Sequence, residues 1–151
     1  MTTTAALTQK ETDLLNDLRK QEQLCVEKTA RYAADACDGQ LKNLFMQISQ
    51  DESRHMQMID QIFSGTVPQI SGGSAPEPTF QKSACPPESR RHDAFLCSDL
   101  LATEKHVSSA YDTSIFEFCD TNVRNVLNHI QKDEQRHGKL LWDYMSANGM
   151  Y

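Results

Sequence analysis

Residues 64–91 read SGTVPQISGGSAPEPTFQKSACPPESRR, and this stretch decides the architecture. It holds all five prolines of the chain (Pro68, Pro76, Pro78, Pro86 and Pro87) together with Gly65, Gly72 and Gly73. Proline removes a backbone donor and collides with the preceding helical turn, so the stretch reads as one long irregular connection. On either side lies a proline-free segment of roughly 55 residues, free to build long helices. Each segment breaks once near its middle, at Cys37-Asp38-Gly39 and at Cys119-Asp120-Thr121. Aspartate is a favoured N-cap, so each break ends one helix and starts the next. Thr8-Gln9-Lys10-Glu11 has capping-box spacing for the first helix, and Asn148-Gly149 suits the end of the last.

The hydrophobic period agrees. Steps of three and four carry Leu14, Leu18, Glu22, Cys25, Thr29, Tyr32 and Ala36 along the first helix. The second carries Leu41, Leu44, Ile48, Glu52, His55, Ile59 and Ile62. The third has Leu96, Leu100, Glu104, Val107, Tyr111, Ile115 and Phe118; the fourth has Val123, Val126, Ile130, Glu134, His137, Leu141 and Tyr144. These are the inward stripes of amphipathic helices, and no alternating strand pattern competes. The fold class is all-α. A chain of 151 residues suits a single domain, 1–151, with hairpin 1 at about 8–64, a crossover at about 65–91 and hairpin 2 at about 92–149. A helix of about 26 residues is roughly 39 Å long, well within the reach of such a crossover.

The two halves are copies at an offset of 82 residues. Leu14, Asp17, Leu18, Glu22, Cys37, Asp38, Asn43, Ile48, Asp51, Glu52, Arg54 and His55 all recur unchanged. The identities gather in the charged positions of the stripes, which shared helical composition does not explain, so the chain reads as a duplicated helical hairpin.

Glu22 precedes Asp51-Glu52-Ser53-Arg54-His55 as Glu104 precedes Asp133-Glu134-Gln135-Arg136-His137. Measured from the Asp38 and Asp120 breaks, each upstream Glu lies level with its hairpin partner. Each His sits one turn beyond its Glu on the same face. Arg54 and Arg136 project elsewhere. Six polar side chains thus occupy core positions, where an unpaired carboxylate is costly unless it is neutralised, paired or bound to metal. Four carboxylates match the charge of two divalent cations, and oxygen with imidazole donors suits iron or manganese, with zinc also allowed. The bland alternative is a hydrogen-bonded polar core, or charges at the bundle edge reaching water.

Composition sets limits. The net charge is −6, with no basic cluster to grip a phosphate backbone, so nucleic acid is not an expected partner. No apolar run approaches membrane-spanning length. The first ten residues lack the pattern of a signal peptide, so a cytoplasmic protein is expected. Five cysteines without a CxxC read as reduced thiols packed as small apolar groups, Cys37 and Cys119 included. Tyr32 and Tyr111, on inward faces two to three turns from Glu22 and Glu104, read as packing residues, with a redox-active tyrosine as the alternative; Trp142, Met56, Met58 and Met145 read as packing residues, and His92, His106 and His129 as surface ones.

The repeated Glu and DExRH pattern resembles the ferritin-like dimetal carboxylate proteins, oxygen-activating di-iron members among them. That resemblance implies a ferritin-like four-helix bundle with Glu22, Glu52, His55, Glu104, Glu134 and His137 as metal ligands. It implies no separate catalytic residues, and gives Asp51 and Asp133 the task of orienting a ligating imidazole. Dioxygen or hydrogen peroxide would be the small reactant of a peroxidase-, catalase- or ferroxidase-like oxidoreductase. A narrower resemblance, to the spore coat protein F family of endospore-forming bacteria, lies in Asp99-Leu-Leu-Ala-Thr-Glu104, Asn128-His-Ile-Gln-Lys-Asp-Glu134 and Tyr144-Met-Ser-Ala-Asn-Gly-Met-Tyr151. It implies a place in the spore coat and association with coat proteins or further copies of the chain. The alternative function is then a structural coat protein whose site only stabilises the bundle or is vestigial.

Overall fold

A computed structural model describes residues 2–70 and 76–151. Residues 71–75 of the expected connection, Gly72 and Gly73 among them, lie outside the described residues. Four helices follow in order: α1 (Gln9–Asp35), α2 (Gly39–Phe63), α3 (Pro87–Ile115) and α4 (Thr121–Ala147). Among the described residues there is no strand, only an isolated bridge between Thr3 and Thr66.

Local chemistry sets the ends. The Thr8 hydroxyl accepts from the Glu11 N–H at 3.1 Å while the Glu11 carboxylate accepts from the Thr8 N–H at 2.8 Å, a complete capping box. Asp38 and Asp120 accept from Gln40 N–H and Asn122 N–H at the heads of α2 and α4. At the far end Gly149 takes φ +66°, a left-handed conformation that glycine adopts without strain. One boundary differs from expectation: α3 begins at Pro87, not near residue 92. Pro86 and Pro87 look like breakers, yet at the first helical position a missing N–H costs nothing and proline's φ already fits.

α1 packs against α2 and α3, and α4 against α3 and α2. Directions follow from the ties. Asp93, near the start of α3, accepts from Cys37 N–H (2.8 Å) and Asp38 N–H (3.1 Å) in the α1–α2 turn. Tyr144, near the end of α4, donates to Asp38 at 2.7 Å. Hence α3 runs antiparallel to α1 and α4 antiparallel to α2, and the connection from Phe63 to Pro87 returns the length of the bundle. The duplication reaches the turns as well. Glu11, the offset partner of Asp93, accepts at 2.9 Å from Cys119 N–H, the offset partner of Cys37.

The cysteine reading needs correction. Cys37 and Cys85 form a disulfide, with Cα atoms 6.4 Å apart, because the returning connection meets the α1–α2 turn there. Cys25 and Cys97 are buried free thiols, and Cys119 is exposed. Smaller corrections concern the stripes. Leu14 and Tyr32 are half-buried while their neighbours Leu15 and Ala33 face inward, since a 3.6-residue period drifts across a 27-residue helix. Ile115 is half-buried, and Trp142 is 43% exposed rather than packed inside. Two apolar clusters fill the bundle, one around Phe45, Leu100 and Tyr144, the other around Leu18, Ile59 and Ile130. On α2, α3 and α4 the boundary between them falls at Glu52–His55, at Glu104 and at Glu134–His137.

Candidate metal centre

Side chains from all four helices meet near that boundary. Glu22 comes from α1, Glu52 and His55 from α2, Glu104 from α3, Glu134 and His137 from α4, and none is more than 2% exposed. Their donor atoms form two overlapping groups of four. Glu22, Glu52, His55 and Glu134 offer one ligand atom each, all within 4.8 Å of one another; Glu52, Glu104, Glu134 and His137 do the same. Glu52 and Glu134 belong to both groups. They are the hairpin-equivalent residues, one from each half, so a duplicated sequence puts a shared pair at its own centre.

The imidazoles are held by exchange between the hairpins. His55 Nε2 lies 2.8 Å from Asp133 Oδ2, and His137 Nε2 lies 2.9 Å from Asp51 Oδ2. Burial works against the charge on each aspartate, but the facing histidine outweighs it and holds the carboxyl below its usual range. An ionised carboxylate only accepts, so each Nε2–H is the donor. The other nitrogen then faces the cluster. His55 Nδ1 is 3.2 Å from Glu134, 3.4 Å from Glu52 and 3.5 Å from Glu22. His137 Nδ1 is 3.0 Å from Glu52 and 3.6 Å from Glu104. Arg54 and Arg136 point away from the cluster and pair with Asp51.

Among the described residues nine buried side-chain polar atoms have no hydrogen-bond partner, and seven belong to the six cluster residues: Glu22 Oε2, Glu52 Oε1, both oxygens of Glu104 and of Glu134, and His137 Nδ1. Buried polar groups in folded proteins are almost always satisfied. Such a concentration of lone pairs is what a cation would satisfy, and the set of four carboxylates and two imidazoles fits two hard or borderline divalent ions. Without cations the charges adjust through protons. Burial, reinforced by Glu52, pushes Glu22 well above the usual carboxylate range; burial and Glu134 do the same to Glu104. Burial resists the charge on Glu134 too, yet the neighbouring Glu104, His137 and His55 hold it well below its ordinary value. Burial disfavours charged imidazoles, but the surrounding carboxylates raise both His55 and His137.

Tyr111, read from the sequence as packing, is fully buried and donates to Glu22 Oε1 at 2.6 Å. Its place on the α3 stripe, two turns from Glu104, was the available signal. Tyr32 instead donates to Asp99 at 2.5 Å, away from the cluster. His129 is half-buried 3.6 Å from Asp133, while His92 and His106 are exposed. Burial, then the charges of Glu52 and Glu22, push the Cys25 thiol far up, so it offers no thiolate.

Residues 92–151, which include Glu104, Glu134 and His137, match the family model of the Coat F domain. No curated protein and no solved structure matches the chain. No helix among the described residues is long and apolar enough to cross a membrane.

Proposed function

We propose that this chain is a ferritin-like dinuclear metal protein, holding two iron or manganese ions and reacting with dioxygen or hydrogen peroxide. What carries the reading is the pair of overlapping donor groups that share Glu52 and Glu134 and are rich in unsatisfied buried atoms. Packing alone gives no reason to bury four carboxylates together. Glu22 and His55 would serve one ion, Glu104 and His137 the other, with Glu52 and Glu134 between them. When bound, a redox-active pair of ions supplies two electrons to a small oxidant. The chain's own part is to keep bulk water out, to fix four carboxylates at one height, and to commit each Nε2–H to aspartate so that Nδ1 is the free donor.

The test is metal content. Wild type reconstituted anaerobically with ferrous or manganous ion is expected to hold about two ions per chain. Glu52→Ala and Glu134→Ala remove a shared donor and should hold almost none, whereas Glu22→Ala and Glu104→Ala should keep about one. Two ions retained by both shared-donor variants would refute the assignment.

The Coat F domain match favours a second reading, a structural component of a bacterial spore coat in which bound ions only stabilise the bundle. The Cys37–Cys85 disulfide suits such an oxidising setting better than a reducing cytosol. Mixing the ferrous protein with air or peroxide separates the two: rapid oxidant consumption supports the redox function, and bound iron that never reacts supports the structural one.

A further inference from the structure

The duplication supplies an internal comparison between the two faces of the centre. Between α3 and α4 a cavity of about 500 Å³ leads down to Glu104 and Glu134. Leu101, Gly138 and Trp142 wall it, and Tyr151 lies at its rim with its ring 6.1 Å from that of Trp142 in an edge-on pair. Gly138 sits inside α4, where glycine is among the poorest helix formers. Packing does not demand it, because an added Cβ would meet only Leu101 Cδ1, at an ordinary 3.6 Å.

At the same offset on the other face, Met56 stands in place of Gly138 and Val26 in place of Ser108. The partners of Leu101 and Trp142 are Arg19 and Asp60, which join in an ion pair at 2.6 Å. Glu22 and Glu52 beneath that face are fully buried; Glu104 and Glu134, which line the α3–α4 cavity, are nearly so, with their carboxylate oxygens turned inward to the cluster. At these matched positions the α1–α2 face carries bulk and an ion pair where the α3–α4 face carries a glycine and a cavity; the groove of about 610 Å³ on the α1–α2 face lies nearer the α1–α2 turn, against Ala33, Gly39 and Met46, and is lined by neither Glu22 nor Glu52.

We propose that the α3–α4 cavity is the binding pocket for a compact, planar, mainly apolar organic substrate, presented to the Glu104–Glu134 side of the centre, and that Gly138 keeps it open. The inference rests on the metal reading for what lies at the floor, while the pocket itself belongs to α3 and α4. Size decides the class of ligand. A diatomic oxidant needs about the room of one water, roughly 30 Å³. This cavity falls instead in the range of about 300–1,000 Å³ typical of small-molecule sites. Leu101 and the Trp142–Tyr151 pair offer a flat ring both apolar area and aromatic edges.

Trp142 is the only tryptophan in the chain, so its fluorescence reports on the pocket with or without metal. The probe is nitrobenzene, a planar, mainly apolar aromatic that quenches tryptophan and does not chelate metal. Saturable quenching is expected in wild type, weakened by roughly tenfold or more in Gly138→Met, which places there the residue found at the matched position of α2. Gly138→Ala should show a smaller loss, and it decides the matter if the methionine variant loses helix content by circular dichroism. Equal quenching in wild type and in the folded variants overturns the proposal, as does a wild-type emission that the probe leaves unchanged. Metal content, measured on the same samples, keeps the two readings apart. Quenching without metal upholds the pocket and sinks the metal centre; metal without quenching does the reverse.

Discussion

Asp133 and Asp51 act across the hairpins, each holding the imidazole of the other half. Asp133→Asn keeps the shape but gives His55 a weaker acceptor, and loss of such an orienting partner typically costs about 10- to 100-fold in metal affinity. The same loss is expected for Asp51→Asn through His137. Competition with a chelator measures both, and unchanged affinity in either variant would show that the orientation of the imidazole is irrelevant. The six cluster residues were legible in the sequence because the repeat marked them twice. The crossing of the aspartates between halves was not, since spacing along a helix says nothing about which neighbouring helix a side chain meets. Tyr111 escaped for a related reason: a tyrosine on an inward stripe looks the same whether its hydroxyl finds a carboxylate or merely ends the core.

Among the elements, the turn between α1 and α2 is held twice, by the Asp93 carboxylate and by the Cys37–Cys85 bond. The bond closes a loop of 48 residues, and a link of that kind contributes about 2–4 kcal/mol, mainly by restricting the unfolded chain. Cys85→Ser should therefore lower the urea midpoint by a corresponding amount. Metal content should not change, because Asp93 still fixes the turn and the cluster lies deeper in the bundle. Loss of metal together with the bond would mean that the disulfide positions the site. Helix identities followed from proline placement and from the aspartate caps, which are local signals. The start of α3 did not, because proline ends a helix or opens one depending on what precedes it. The disulfide was invisible for a different reason: only the return of the connection to the first turn brings the two cysteines together.

For the molecule as a whole, the buried cluster couples stability to pH. In chelator-treated protein Glu22, Glu104, His55 and His137 hold protons more tightly than the unfolded chain does. Stability from such groups is fully present below their unfolded values, about 4.3 for Glu and about 6.5 for His, and is lost as pH rises through the higher folded values. The melting temperature of the stripped protein should thus fall from weakly acid to alkaline pH. Glu134, Asp51 and Asp133 are shifted the other way, and their contribution disappears only in stronger acid as pH drops through their lowered values. Manganese-loaded protein should reverse the alkaline trend, because ions compete with those same protons and bind more tightly as the protons leave. Calorimetry across the range, with and without manganese, gives both slopes; parallel slopes would sever the cluster from metal binding. The exchange of aspartates has a consequence for origins. Half of the centre is of no use to a lone hairpin, whose histidine would lack its acceptor and whose aspartate would lack its donor. Any ancestor encoding only one copy could have assembled the cluster solely as a symmetric pair of chains, which the later fusion made permanent and then left free to diverge.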